Sequence, residues 1–333
     1  MSRCLGIMFV ALTVFALLLI VVMPDAAKAA QGPAGDTDLA GPTCDRAATG
    51  SAPTYQWVAG WGKQGNGTGQ FADLRGLAVS PSGDVFVADA GNYRIQKFDR
   101  NGTFIASWGS RGSGNGSFEY PWDVAVDPSG NVYVVDNDLR NVQKFDPNGR
   151  FLTVWYGAHE GNGSFYRPHG IGADTAGRIY LADAAGNRIQ VFGPDGAFQK
   201  TLHGNESMME PWDMAADRSG NIYVVGMEYT GAIIIQKISP AGDVIDSWAT
   251  GGNYLNPHYI DLDRSGNVFY SDNRHGHIKM FDPNGALLTS WGENRSGNGS
   301  LWGPMGIGVG PSGEVFVADL GNNRIEKFAP RPC

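Results

Sequence analysis

The chain has 333 residues, a formal net charge of −8 and 48 glycines. Its length allows two domains. With 33 acidic against 25 basic residues and no run of Lys or Arg, it lacks the basic footprint of a nucleic-acid reader.

Residues 1–30 read as a targeting segment: Arg3 is the positive start, Leu5 to Met23 is the apolar stretch, and Ala27-Lys28-Ala29 is a small-residue cleavage site. An apolar stretch of 19 residues also suffices to span a bilayer, so a cleaved signal peptide and a retained N-terminal membrane anchor both stay open. Either one places the remainder outside the cytoplasm, secreted or extracytoplasmic. Residues 31–54, rich in Gly, Ala, Pro, Thr and Asp, read as a flexible spacer.

From residue 55 to residue 330 one pattern recurs. The aromatic of its strand core stands at 86, 133, 180, 223, 269 and 316, at spacings of 47, 47, 43, 46 and 47. A period in this range marks a solenoid, a propeller or an array. Each period contains only strand and turn signals, which favours a propeller. In the second copy Val124–Val126, Asn131–Val135, Val142–Phe145 and Phe151–Trp155 read as four strands, joined by Ser129-Gly130, a polar turn and the Asn148-Gly149 hairpin. The sixth copy ends after three strands near Phe328, and Tyr55–Gly62 matches the fourth strand of the first copy, Thr103–Gly109. The expected fold is therefore all-β: a six-bladed β-propeller of four-stranded antiparallel blades whose N-terminal strand closes the last blade. Residues 331–333 form a short tail. The tryptophans at 61, 108, 155, 248 and 291 read as packing between blades.

The aspartates at 89, 136, 183, 272 and 319 recur at one position, which points to turn capping rather than catalysis. The fourth copy has Gly226 there, followed by Met227–Gly231, and reads as a drifted blade, the alternative being a specialised loop. Cys4 lies in the targeting segment. Cys44 and Cys333 then sit at the two ends that ring closure brings together, and a disulfide between them is expected in an oxidising compartment, the alternative being free or intermolecular thiols. Seven Asn-x-Ser/Thr sequons occur, mostly in Gly-Asn-Gly linkers that the fold explains as turns.

Binding is expected at the channel mouth, at the residue after the Pro (Leu74 in the first copy) that opens each blade. The ring reads Arg75, Trp122, His169, Trp212, His258 and Met305. Trp122 and Trp212 would offer stacking surfaces and Arg75 an anion anchor. Asp123, Asp213 and Asp261 lie close by, placed for blade-to-blade hydrogen bonds; calcium is the cation that carboxylates converging on the axis would take.

The run Asp89–Phe98, repeated as Asp183–Phe192 and Asp319–Phe328, together with the linker Gly112–Phe118, resembles the NHL repeat. The resemblance covers about residues 55–330 and implies a six-bladed propeller, but not one function. Arg167-Pro168-His169-Gly170-Ile171 is similar to the zinc-ligand segment of the peptidyl-hydroxyglycine amidating lyase, and Asn256-Pro257-His258 matches it more loosely. In that family three such histidines on alternating blades hold zinc. His169 and His258 would be two of the ligands here, while the third blade offers Arg75. The favoured reading is an exported, monomeric, non-catalytic propeller that needs no cofactor and binds an extracellular protein, peptide or glycan. A metal-dependent lyase or hydrolase using zinc or calcium is the alternative.

Overall fold

The computed structural model describes residues 54–157, 163–204, 208–253 and 258–331. The targeting segment, nearly all of the spacer, and the expected Cys44–Cys333 pair lie outside the described residues. Six four-stranded antiparallel sheets form the ring, each built from an inner strand outward. In blade 1 the strands are Leu74–Val79, Val85–Asp89, Arg94–Phe98 and Phe104–Trp108. Blades 2 to 6 open with Pro121–Val126, Pro168–Ala173, Met208–Ala216, Ile260–Leu262 and Pro304–Val309.

The outer strand of blade 6 comes from the start of the ring. Tyr55–Trp61 pairs antiparallel with Arg324–Pro330, with Tyr55 opposite Pro330 and Trp61 opposite Ile325. Thr54 O accepts the Arg331 N–H at 2.8 Å. This pairing removes the open end that a linear array would leave.

Outside blade 4 the second strands are buried along their whole length because each is sandwiched between neighbouring blades. Their apolar runs meet the outer-strand tryptophans. The Trp108 ring stands 6.2 Å from Phe86 of its own blade and 5.8 Å from Phe145 of the next. Trp155 repeats this with Tyr133 and Phe192, at 6.1 and 6.0 Å. The Asn148-Gly149 hairpin of blade 2 lies directly on Trp108: Gly149 has φ +83°, and a Cβ there would come within 2.5 Å of the ring. Glycine is thus required twice over, by backbone conformation and by contact.

The recurrent aspartates do something other than cap the turn that follows. Asp89 Oδ1 accepts the Ala72 N–H at 2.8 Å, 17 residues upstream, and the carboxylate also receives Asn92 Nδ2, Arg94 Nε and Gln96 Nε2 at 2.8–3.0 Å. Asp136, Asp183 and Asp319 likewise accept from Glu119, Tyr166 and Trp302 in their own linkers. Among the described residues, Asp136 takes amides of the following turn as well, from Asp138 and Leu139, and Asp272 takes one from His275. The carboxylate is fully buried where the linker crosses the end of the blade, so linker amides come within its reach along with side chains of its own blade.

Blade 4 is longer rather than degenerate. Its four strands are Met208–Ala216, Ile222–Glu228, Ala232–Ile238 and Val244–Asn253. Met208 pairs with Glu228 and Met209 with Met227. Backbone pairing holds the linker here instead of an aspartate. A Cβ on Gly226 would stand 3.1 Å from both Met208 Cγ and Met209 O. An Asp does not fit that space, which is why glycine accompanies the extension.

Candidate functional site at the channel mouth

The six predicted ring residues do meet around the channel, but they are mostly packed into it. Met305 and His258 are 1% exposed, Trp212 5% and His169 7%; Arg75 and Trp122 are half-buried. Trp212 belongs to the core shared by blades 4 and 5, among Tyr223, Val225 and Ile260. Met305 packs with Leu74 and Leu77 of blade 1 and receives Asn273 Nδ2 on its sulfur at 3.1 Å.

The ring residues stack on one another. The Arg75 guanidinium lies 4.8 Å from the Trp122 ring, and Trp122 lies parallel to His169 at 4.7 Å and 9°. One stack thus spans blades 1 to 3. Across the mouth, Trp212 meets His258 at 5.3 Å, and His258 stacks on Tyr270 at 5.1 Å. Arg75 is held from the side by Asp73 at 2.8 Å, and Asp73 also receives the Tyr120 hydroxyl at 2.6 Å. Burial, and then its bond to Asp73, push the Tyr120 phenol up to about 12, so it stays a donor.

Burial pushes His169 down to about 3, helped by the nearby cations Arg167 and Arg75. Burial likewise takes His258 down to about 4. Both imidazoles are neutral at pH 7. His258 Nδ1 lies 3.0 Å from the Ser271 carbonyl, which calls for a proton on Nδ1 and leaves Nε2 as an acceptor. Four buried atoms at the mouth have no partner among the described residues: Arg75 Nε, His169 Nδ1, His258 Nε2 and Tyr259 Oη. They come from blades 1, 3 and 5.

Tyr259 was not singled out by sequence, although a signal was present. The other blades carry Gly76, Asp123, Gly170, Asp213 and Gly306 at its position, so an aromatic there is an outlier. Asp73 and Tyr120 precede the ring positions and carry no sequence mark.

Beneath the mouth the channel widens to a cavity of about 190 Å³ lined by Asp123, Asp213, Tyr259 and Asp261 among aliphatic residues. Each carboxylate ties one blade to the next. Asp123 accepts the Ile171 N–H at 2.9 Å, Asp213 the Ile260 N–H at 2.9 Å, and Asp261 the Val309 N–H at 2.7 Å. Gly76 and Gly170 make room for the first two. Burial, reinforced by mutual repulsion, holds Asp123 well above the usual carboxylate range and Asp213 at about 8; burial takes Asp261 to about 6.

Among the described residues no three or more His, Cys, Asp or Glu side chains group to hold a metal. A catalytic zinc needs three protein ligands and an open position. The third member of the alternating set of His169 and His258 is the cationic Arg75, so these residues do not fit a zinc centre.

The NHL repeat family matches residues 71–98, 118–145, 165–192 and 301–328. Those segments fall in blades 1, 2, 3 and 6. The unmatched blades are the one with Gly226 and the one with Lys279 where four others have Gln96, Gln143, Gln190 and Gln236. Among curated proteins, B-box type zinc finger protein ncl-1 of Caenorhabditis elegans is 48% identical over 44 residues, 13% of this chain and 5% of that protein. The chain thus spans about one twentieth of the curated relative it matches. Among solved structures, a gluconolactonase from Xanthomonas campestris aligns with a TM-score of 0.59 and 16% identity, over 79% of this chain and 87% of that one. Virginiamycin B lyase from Staphylococcus aureus aligns with a TM-score of 0.54 and 16% identity, over 84% and 88%. At that identity the likeness is one of fold. Four matched repeats within a closed ring of six four-stranded blades place the chain in the NHL-repeat β-propeller family.

Proposed function

We propose that the protein is an exported, non-catalytic binding propeller that captures an extracellular peptide, glycan or protein at the channel mouth, acting as a monomer without a cofactor. The observation that carries this reading is the set of unpartnered polar atoms on Arg75, His169, His258 and Tyr259. Buried hydrogen-bonding groups without partners are costly and call for a water or a ligand. Other buried atoms also lack partners, notably Nε1 of the five outer-strand tryptophans, but those recur with the repeat. The mouth atoms belong to residues that differ from blade to blade, where a regular scaffold carries specificity. Arg75 suits a carboxylate or another anionic group on the ligand. Export rests on the targeting segment at residues 1–30.

Peptide and glycan arrays probed with the mature chain test this. Hits bound by wild type and lost in Arg75→Ala and Tyr259→Phe, with thermal stability retained, are the expected result. Hits indifferent to both substitutions overturn it. Stoichiometric zinc in the purified protein, lost in both His169→Ala and His258→Ala, would move the assignment to a metal-dependent lyase or hydrolase.

A further inference from the structure

The channel has a second opening on the opposite face, where the turns between inner and second strands meet. A basin of about 320 Å³ opens there, and the same turn position of every blade lines it, Pro81, Pro128, Thr175, Arg218, Arg264 and Pro311, with Asp174 and Asp263 beside them. Proline presets the first central position of such a turn. Blades 4 and 5, which are neighbours, have arginine there instead. Departures from local turn preference that cluster around one cavity mark a functional position better than either would alone.

Both arginines are exposed, and neither guanidinium makes a hydrogen bond or ion pair with a described residue. The carboxylates beside them are occupied. Asp217 accepts from Ser219 N, Asn221 N and Asn221 Nδ2 at 2.8–2.9 Å. Asp263 does the same with Ser265 N, Asn267 N and Asn267 Nδ2 at 2.7–2.9 Å. Both therefore point into their own turns. Arg178 of blade 3, paired with Asp174 at 2.6 Å, reaches toward the blade 4 turn. Arginines thus lie on the loops of blades 3 to 5, each beside an aspartate, Asp174, Asp217 or Asp263, whose carboxylate is engaged within its own loop.

We propose that this basin is a second binding site, for a small phosphate- or sulfate-bearing molecule clamped between Arg218 and Arg264. A planar guanidinium delivers paired hydrogen bonds to a tetrahedral oxyanion, and two from adjacent blades bracket it. Because both are solvent-exposed, binding weakens as salt rises. The site is independent of the mouth at the other end.

The test titrates the purified mature protein with inorganic phosphate and with sulfate, at ionic strength held constant by chloride, using calorimetry and thermal shift. Saturable binding is expected. Arg218→Ala or Arg264→Ala should each weaken it about tenfold, the scale of one charge-assisted hydrogen bond. Arg218→Pro combined with Arg264→Pro, which installs the residue of the sister blades, should abolish binding and keep the fold, separating loss of the site from misfolding. Arg75→Ala should leave binding unchanged. Two results overturn the proposal: a non-saturating rise in stability shared by wild type and the double proline variant, which is general salt exclusion, or loss of binding in Arg75→Ala.

Discussion

Single residues at this ring carry meaning only against their counterparts in other blades. Glu326 stands where four blades have glutamine, and it accepts Trp57 Nε1 from the closing strand and lies 2.6 Å from Arg324. Burial pushes its carboxyl up to about 7. The fold therefore favours the proton, and the stability this lends is lost as pH rises through 7. Glu326→Gln should raise stability by about 1 kcal/mol at pH 8 and change little at pH 5. Thermal melts at the two pH values check this. The two ring tryptophans should part company. Trp212→Ala removes a core side chain and should cost about 3–5 kcal/mol in urea denaturation. Trp122, half-buried between Arg75 and His169, should cost about 1–2 kcal/mol. Sequence alone treats the two as equal stacking surfaces; burial distinguishes them, because Trp212 sits in the core shared by blades 4 and 5 whereas Trp122 lies between Arg75 and His169.

At the scale of elements, the linker between blades is the unit that needs holding, and the structure holds it in two ways. In blade 1 the Asp89 carboxylate gathers a linker amide, Asn92, Arg94 and Gln96. Asp89→Ala takes the acceptor from the Ala72 amide and Arg94 Nε, while Asn92 and Gln96 keep the Gly65 and Gln70 carbonyls, and should cost about 2–4 kcal/mol. In blade 4 the extended first and second strands replace that hub. Gly226→Asp, which restores the repeat pattern, should therefore destabilise by about 1–3 kcal/mol, the usual cost of overpacking. A gain in melting temperature from this substitution would refute the account. Four strands per repeat, their turns and the closing strand are legible in sequence because alternation and Gly placement are local signals. The backward reach of the aspartates is not, since the amide that Asp89 binds lies 17 residues upstream and only the linker's path brings it close.

The whole ring encloses charge. Asp123, Asp213 and Asp261 converge on the cavity, with Arg75 and Tyr259 above and Asp263 at the lower end. The folded state keeps protons on Asp123 and Asp213 that the unfolded chain releases near pH 4. Stability from Asp213 is full below that pH and is lost as pH rises through about 8, and Asp123, also raised, acts in the same sense. His169 and His258 act in the opposite sense below about pH 6.5, because their lowered values make the unfolded chain bind the extra protons. Above that pH the carboxylates act with Glu326 alone, so the melting temperature should fall from pH 6.5 to 8.5. Asp213→Asn, which can still accept the Ile260 N–H, should flatten the fall. A wild-type melting temperature that rises over this interval would contradict the protonated channel.

Periodicity by itself determined the number of blades, the four strands in each and the strand that closes the ring, because one sheet's worth of alternating residues and turns is written locally and repeated. Sequence also placed Arg75, Trp122, His169, Trp212, His258 and Met305 at one level of the channel, since a fixed register position in every blade faces the same axis. Only the tertiary structure decided which of them are covered and which hydrogen-bonding atoms remain without partners. It also brought Tyr259 and the channel carboxylates together. Those properties depend on what the adjacent blade presents, and in a ring the adjacent blade is another copy of the pattern with its own departures from it.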